Sequence, residues 1–137
     1  MQLTLTRLSD GGTFTFNEEN IVKGEKIGAT YAEGTRLFYL RSEKTIKEEI
    51  EVEETLAEIM AESALSGNTE LVVIPVVDAN TGAVVEPLFN TKRILGTEPD
   101  ATNATFLYDS TDLAPEDLSC DGDTAALAAF IAGGWTP

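Results

Sequence analysis

The chain contains no histidine and a single cysteine, Cys120, among 137 residues. The first absence removes the commonest general base and the commonest transition-metal ligand together. The second removes internal disulfides and thiolate zinc sites. Basic residues are scarce as well: nine Lys and Arg face 24 Asp and Glu, a formal charge of −15. Such a balance argues against nucleic acid, whose affinity rests on cations neutralising phosphates. It argues equally against an anionic membrane surface, and it suits a basic protein partner. No apolar run approaches the ~20 residues that span a bilayer. Met1 leads straight into alternating polar and apolar residues, which does not read as a secretory leader. There is no Gly-x-Ser-x-Gly elbow, and no Gly-rich phosphate loop before a basic residue and helix. These absences point to a non-enzyme without a cofactor.

What is present is a repeat. Phe16-Asn17-Glu18-Glu19-Asn20-Ile21-Val22 matches Phe89-Asn90-Thr91-Lys92-Arg93-Ile94-Leu95 at an offset of 73. Leu37-Phe38-Tyr39-Leu40 faces Thr105-Phe106-Leu107-Tyr108 at 68, and Glu48-Glu49-Ile50 faces Glu116-Asp117-Leu118 at the same offset. Leu56-Ala57-Glu58-Ile59-Met60-Ala61 faces Leu127-Ala128-Ala129-Phe130-Ile131-Ala132 at 71. Offsets that change inside polar loops are those of a tandem duplication with small insertions and deletions. Residues 1–65 form the first β-plus-helix repeat and 70–137 the second. The expected fold is α+β, mostly β: two copies of a small antiparallel sheet with one helix. A unit of about 65 residues builds a marginal core alone, so the copies are expected to pack together or on a neighbour.

Alternation at Leu3, Leu5 and at Phe14, Phe16, around Asp10-Gly11-Gly12, predicts a β-hairpin. Strands are expected at 21–27, 36–41 and 45–52, and a helix at 53–63 with an acidic first turn and a Leu56, Ile59, Met60 stripe. In the second copy, Leu71 to Val77 is an almost continuous apolar run, either core or interface. Pro75 must sit at an edge or bulge, because it lacks an N–H. Residues 83–89 return from the turn at 78–82, and 92–97 and 104–108 are strands. Residues 109–123 read as a long acidic loop. A helix follows at 124–132, capped by Asp123 and ended by Gly133-Gly134.

The acidic group Asp109, Asp112, Glu116, Asp117, Asp121, Asp123 is either a solvated loop with a helix cap or a weak divalent-cation site. Asp121-Gly122-Asp123 is the fragment that favours the latter, but the EF-hand spacing is absent. Cys120 aligns with Val52 and reads as a small buried hydrophobe. Trp135 is either a lid on the second helix or an anchor in a neighbouring subunit. Candidate interface residues are Leu71, Val73, Val76, Val84 and Trp135.

The order Leu5-Thr6-Arg7-Leu8, a Gly-containing turn, Phe14-x-Phe16-Asn17, Asn20-Ile21, a hairpin and a Glu-rich start to a helix resembles two groups of small proteins. One is the FlbD-like proteins of flagellar operons. The other is the small virion structural proteins of tailed phages, including crAss-like ones. The second copy, with Lys92-Arg93-Ile94 and Thr105-Phe106-Leu107-Tyr108, is similar to the phage group only. The resemblance implies a capsid auxiliary or decoration protein, made in the host cytoplasm and carried in the virion. It would be multi-copy or homo-oligomeric and would bind the major capsid protein or another virion protein, with neither nucleic acid nor membrane as partner. Neck or tail adaptor, or cytoplasmic protein-binding regulator, are the alternatives it leaves.

Overall fold

The computed structural model describes residues 2–41, 47–65, 67, 70–111 and 114–134. It is α+β and mostly β, and the duplication is visible in three dimensions. The first copy runs β1 (Gln2–Thr6), β2 (Thr13–Asn17), β3 (Ile21–Lys26), β4 (Thr35–Leu40), β5 (Lys47–Val52) and α1 (Leu56–Leu65). The second runs β6 (Leu71–Val73), β7 (Val76–Val77), β8 (Val84–Val85), β9 (Leu88–Asn90), β10 (Ile94–Glu98), β11 (Thr105–Tyr108), β12 (Glu116–Cys120) and α2 (Thr124–Ile131).

Local chemistry repeats residue by residue. Asn17 and Asn90 each accept a hydrogen bond from the backbone N–H two residues on, at 3.2 and 3.1 Å, and each opens a 3₁₀ turn. The short amide side chain mimics a backbone turn, which is why Phe-Asn marks the corner in both copies. After each corner comes a β-bulge, at Ile21/Lys23 and at Ile94/Gly96. Phe16 and Tyr39 meet edge-on at 5.1 Å and 76°, and Phe89 and Tyr108 do so at 4.9 Å and 73°. Val52 and Cys120 are both fully buried, so Cys120 takes the place of a small hydrophobe as expected.

Register corrects two of the offsets. Ile21 pairs with Tyr39 and Ile94 with Tyr108, so β4 and β11 correspond at 69, not 68. Thr55 Oγ1 accepts from Glu58 N, and Asp123 accepts from Ala126 N. These caps align the helices at 68, not 71, which matches buried Ile59 with buried Leu127. An offset of 71 shifts the helix by about one turn and leaves an apolar stripe in almost the same direction, so sequence matching slips there easily. The acidic start of the first helix also has another role. Glu54 precedes α1, and its carboxylate accepts from Thr6 N at 2.8 Å and Thr6 Oγ1 at 3.0 Å, tying β1 to the helix.

The 109–123 loop is likewise shorter than expected. Glu116–Cys120 is a strand, β12, paired with β11 from Thr105↔Ser119 to Tyr108↔Glu116. Only Leu118 and Cys120 turn inward there, so the apolar signal was thin.

The copies do not form separate sheets. One five-stranded sheet has the order β5-β4-β3-β9-β6, so β6 and β9 of the second copy complete the sheet of the first. The other has the order β10-β11-β12-β7-β8, and β1-β2 stands as a separate ribbon. The second copy's hairpin is therefore divided between two sheets. Pro75 and Pro87 sit where it bends: Ile74 N donates to Pro87 O, and Asp121 N donates to Pro75 O. A residue without an N–H is tolerated where a ladder must break. Two cores follow. Leu71, Val73 and Leu88 enter the first, against Leu3, Phe16, Leu37 and Ile59; Val22 and Leu40 enter the second, against Phe89, Phe106 and Tyr108.

Candidate protein interface

The structure separates the expected interface residues. Leu71, Val73 and Val76 are 3%, 0% and 5% exposed. Their apolar run is continuous because its two faces serve two cores, and this removes them as contacts for a partner. Val84 remains at the surface, 47% exposed, with Val85 beside it at 45%. Trp135 lies outside the described residues.

Val84 and Val85 form β8, the edge of the second sheet, paired on one side with β7. They line a 480 Å³ groove with Lys23, Lys26, Tyr31, Glu86 and Pro87. The groove lies between the tip of the second hairpin and β3, so both copies build it. Lys26 Nζ stands 4.5 Å over the Tyr31 ring. An apolar edge flanked by cations and carboxylates is chemistry for docking a polypeptide, with an outer side of β8 that pairs with no strand among the described residues and side-chain charge at the rim.

The most constrained polar cluster is where the copies meet, between β3 and β9. The Tyr108 hydroxyl donates to Val22 O and accepts from Asn90 N at 2.9 Å. Asn90 Nδ2 donates to Glu18 O at 3.3 Å and Ile21 O at 3.1 Å. Burial holds the Tyr108 phenol well above its ordinary value of 10.0, since the phenolate has no solvent. This tyrosine is a structural pin, not a general acid: its proton is committed to a carbonyl. Tyr39 is raised too, by burial and then by the Glu48 carboxylate that its hydroxyl meets at 3.1 Å. Burial, then Asp121 and Asp123, pushes the Cys120 thiol up from 9.0, which lowers its thiolate fraction and its reactivity.

The acidic group is dispersed. Asp109 pairs with Arg93 at 3.2 Å, Asp123 caps α2, and Glu116 and Asp117 lie along β12. Asp112 lies outside the described residues. Among the described residues no set of three carboxylates or thiols converges on one point, and no helix is long and apolar enough to cross a membrane.

Sequence reasoning passed over Leu95, 57% exposed in β10. Its counterpart Val22 is buried, and the match Ile21-Val22 to Ile94-Leu95 held the signal: one of two equivalent aliphatics lacks a cover. The fold and this surface define a small duplicated β-sheet protein with open strand edges. No protein family, curated protein or solved structure matches the chain.

Proposed function

We propose that the chain is a non-enzymatic structural protein of a tailed-phage particle, a capsid auxiliary or decoration protein that binds the major capsid protein and stabilises the shell. The observation that carries this reading is the β8 edge, where Val84 and Val85 stay exposed beside the groove lined by Lys23, Lys26 and Tyr31. A partner strand or loop seated there gains backbone hydrogen bonds and covers apolar area. The resemblance of residues 3–63 to small virion proteins supports it, and so does a charge of −15, which suits a protein displayed on the outside of a head.

Quantitative mass spectrometry of purified particles tests it. Copy number in fixed ratio to the major capsid protein is the expected outcome. About a dozen copies would move the chain to the neck or tail, and absence would end the virion reading in favour of a cytoplasmic regulator. Val84→Asp with Val85→Asp is expected to abolish attachment without lowering the melting temperature of the free protein, because both side chains already face solvent. A matching loss of thermal stability would return the two valines to the core.

A further inference from the structure

The junction between the copies is made once in this chain, although its parts are present twice. β9 of the second copy pairs with β3 of the first, with Lys23↔Phe89 and Gly24↔Leu88. The counterparts are β2, equivalent to β9, and β10, equivalent to β3. A two-fold relation between the copies would pair β2 with β10 in the same molecule. Instead β2 pairs only with β1 and β10 only with β11, and both outer edges are open among the described residues. The copies are therefore related by an operation that does not close after two steps.

The surface residues left over are those that the first junction buries. Val22 is 1% exposed and its counterpart Leu95 57%. Asn90 is 1% exposed, whereas its counterpart Asn17 is exposed. Beside β10, Thr97, Ala104, Thr124, Leu127 and Ile131 line a 100 Å³ apolar cleft between strand and helix. Its counterpart in the first copy, at Gly24 and Ile59, belongs to the core that Leu88 completes. Charge follows the same correspondence. Lys92 meets Glu19 at 3.4 Å across the existing junction, and the two occupy equivalent positions, so a repeated junction again brings Lys92 to a Glu19. Lys92 is half exposed and also meets Glu70 at 3.4 Å, so the second Glu19 becomes the third carboxylate on its three-donor ammonium.

We infer that β10 of one molecule pairs antiparallel with β2 of a second copy, head to tail, in the register Gly96↔Phe16 and Thr97↔Thr15. Tyr39 then takes the place of Tyr108, its hydroxyl leaving Glu48 to donate to Leu95 O of the neighbour, and Asn17 takes the place of Asn90. A contact of this kind uses two different surfaces, so it builds a ring or a filament rather than a closed dimer. It is weaker than the junction inside one chain. The outer face of the β1-β2 ribbon carries Gln2, Thr4 and Thr15 where the second copy carries Leu71, Val73 and Leu88. The Thr97–Thr15 pair, favourable across strands, replaces Gly24–Leu88. Assembly is therefore concentration-dependent.

Directly paired residues in antiparallel strands lie about 4.5–5.5 Å apart, within disulfide reach. The test uses the full chain with Cys120→Val, the residue type found at Val52, and adds Thr15→Cys or Thr97→Cys, both at exposed positions. Oxidation of the two single variants mixed together is expected to give a covalent dimer. The double variant gives a ladder of oligomers, and neither single variant crosslinks alone. Sedimentation velocity of the wild-type chain is expected to show mass rising with concentration, and Leu95→Asp to abolish the rise while leaving the melting temperature unchanged. Crosslinking within a single variant, a wild-type chain that stays monomeric at every concentration, or a Leu95→Asp chain that sediments like wild type would each overturn the pairing. The pairing does not depend on the capsid reading. Failure here leaves particle copy number untouched, and absence from particles leaves the self-pairing intact.

Discussion

Tyr108 and Asn90 are the residues on which the inter-copy junction depends most. Tyr108→Phe leaves Asn90 N and Val22 O without their partner and is expected to cost about 1–3 kcal/mol, read by urea unfolding. The same variant tests pH behaviour. Tyr108, Tyr39 and Cys120 are all raised above their ordinary values in the folded state, mainly by burial. Their neutral forms contribute stability that is complete below about pH 9 and falls as pH rises, since the unfolded chain ionises first. The alkaline fall in melting temperature should be shallower in Tyr108→Phe. Asn90→Ala removes three hydrogen bonds from a buried side chain and is expected to cost about 1–3 kcal/mol. Asn17→Ala, at the equivalent exposed corner, should cost about 0.5 kcal/mol. Equal losses would mean that burial does not distinguish the two corners.

Among the elements, α2 and β3 respond to single changes for different reasons. Asp123 accepts from Ala126 N at 3.0 Å, and Asp123→Ala is expected to cost about 1 kcal/mol in a thermal melt. Gly24 lies in β3 under β9, where an added Cβ meets Leu88 Cβ and Leu37 Cδ2 at 3.1 Å. Gly24→Val overpacks that contact and is expected to cost about 1–3 kcal/mol, more than Gly96→Val, whose Cβ meets nothing within 4 Å. The elements also show what pattern alone could reach. The β1-β2 hairpin, the corners after Phe-Asn and the cap at Asp123 rest on local chemistry and are legible; Pro75 reads only as an edge or bulge, and the change of sheet there is not legible. From the sequence β12 reads as loop, because Pro115 and its acids mask two inward residues. Yet the match of Glu116-Asp117-Leu118 to the strand residues Glu48-Glu49-Ile50 already held it. The helix offset slipped by about one turn because an apolar stripe looks the same after that shift.

The whole molecule is held together by exchange between the copies. The first core needs Leu71, Val73 and Leu88, and the second needs Val22 and Leu40. A fragment of residues 1–65 is therefore expected to lack cooperative unfolding by circular dichroism, and to regain it when residues 70–137 are added. A sharp melt of the first fragment alone would show that its own sheet suffices. The sequence by itself determined the class, the corner and cap residues and the lack of histidine, because each depends on composition or on neighbours within a few positions, and the repeat is legible from matches between the two halves. Only the tertiary structure decided that Leu71, Val73 and Val76 are core while Val84 and Leu95 are surface. Alternation and hydrophobicity state that a side chain wants cover; which strand supplies it depends on pairing between residues some 65 positions apart. The same pairing decided that one junction between the copies is filled and its counterpart left open.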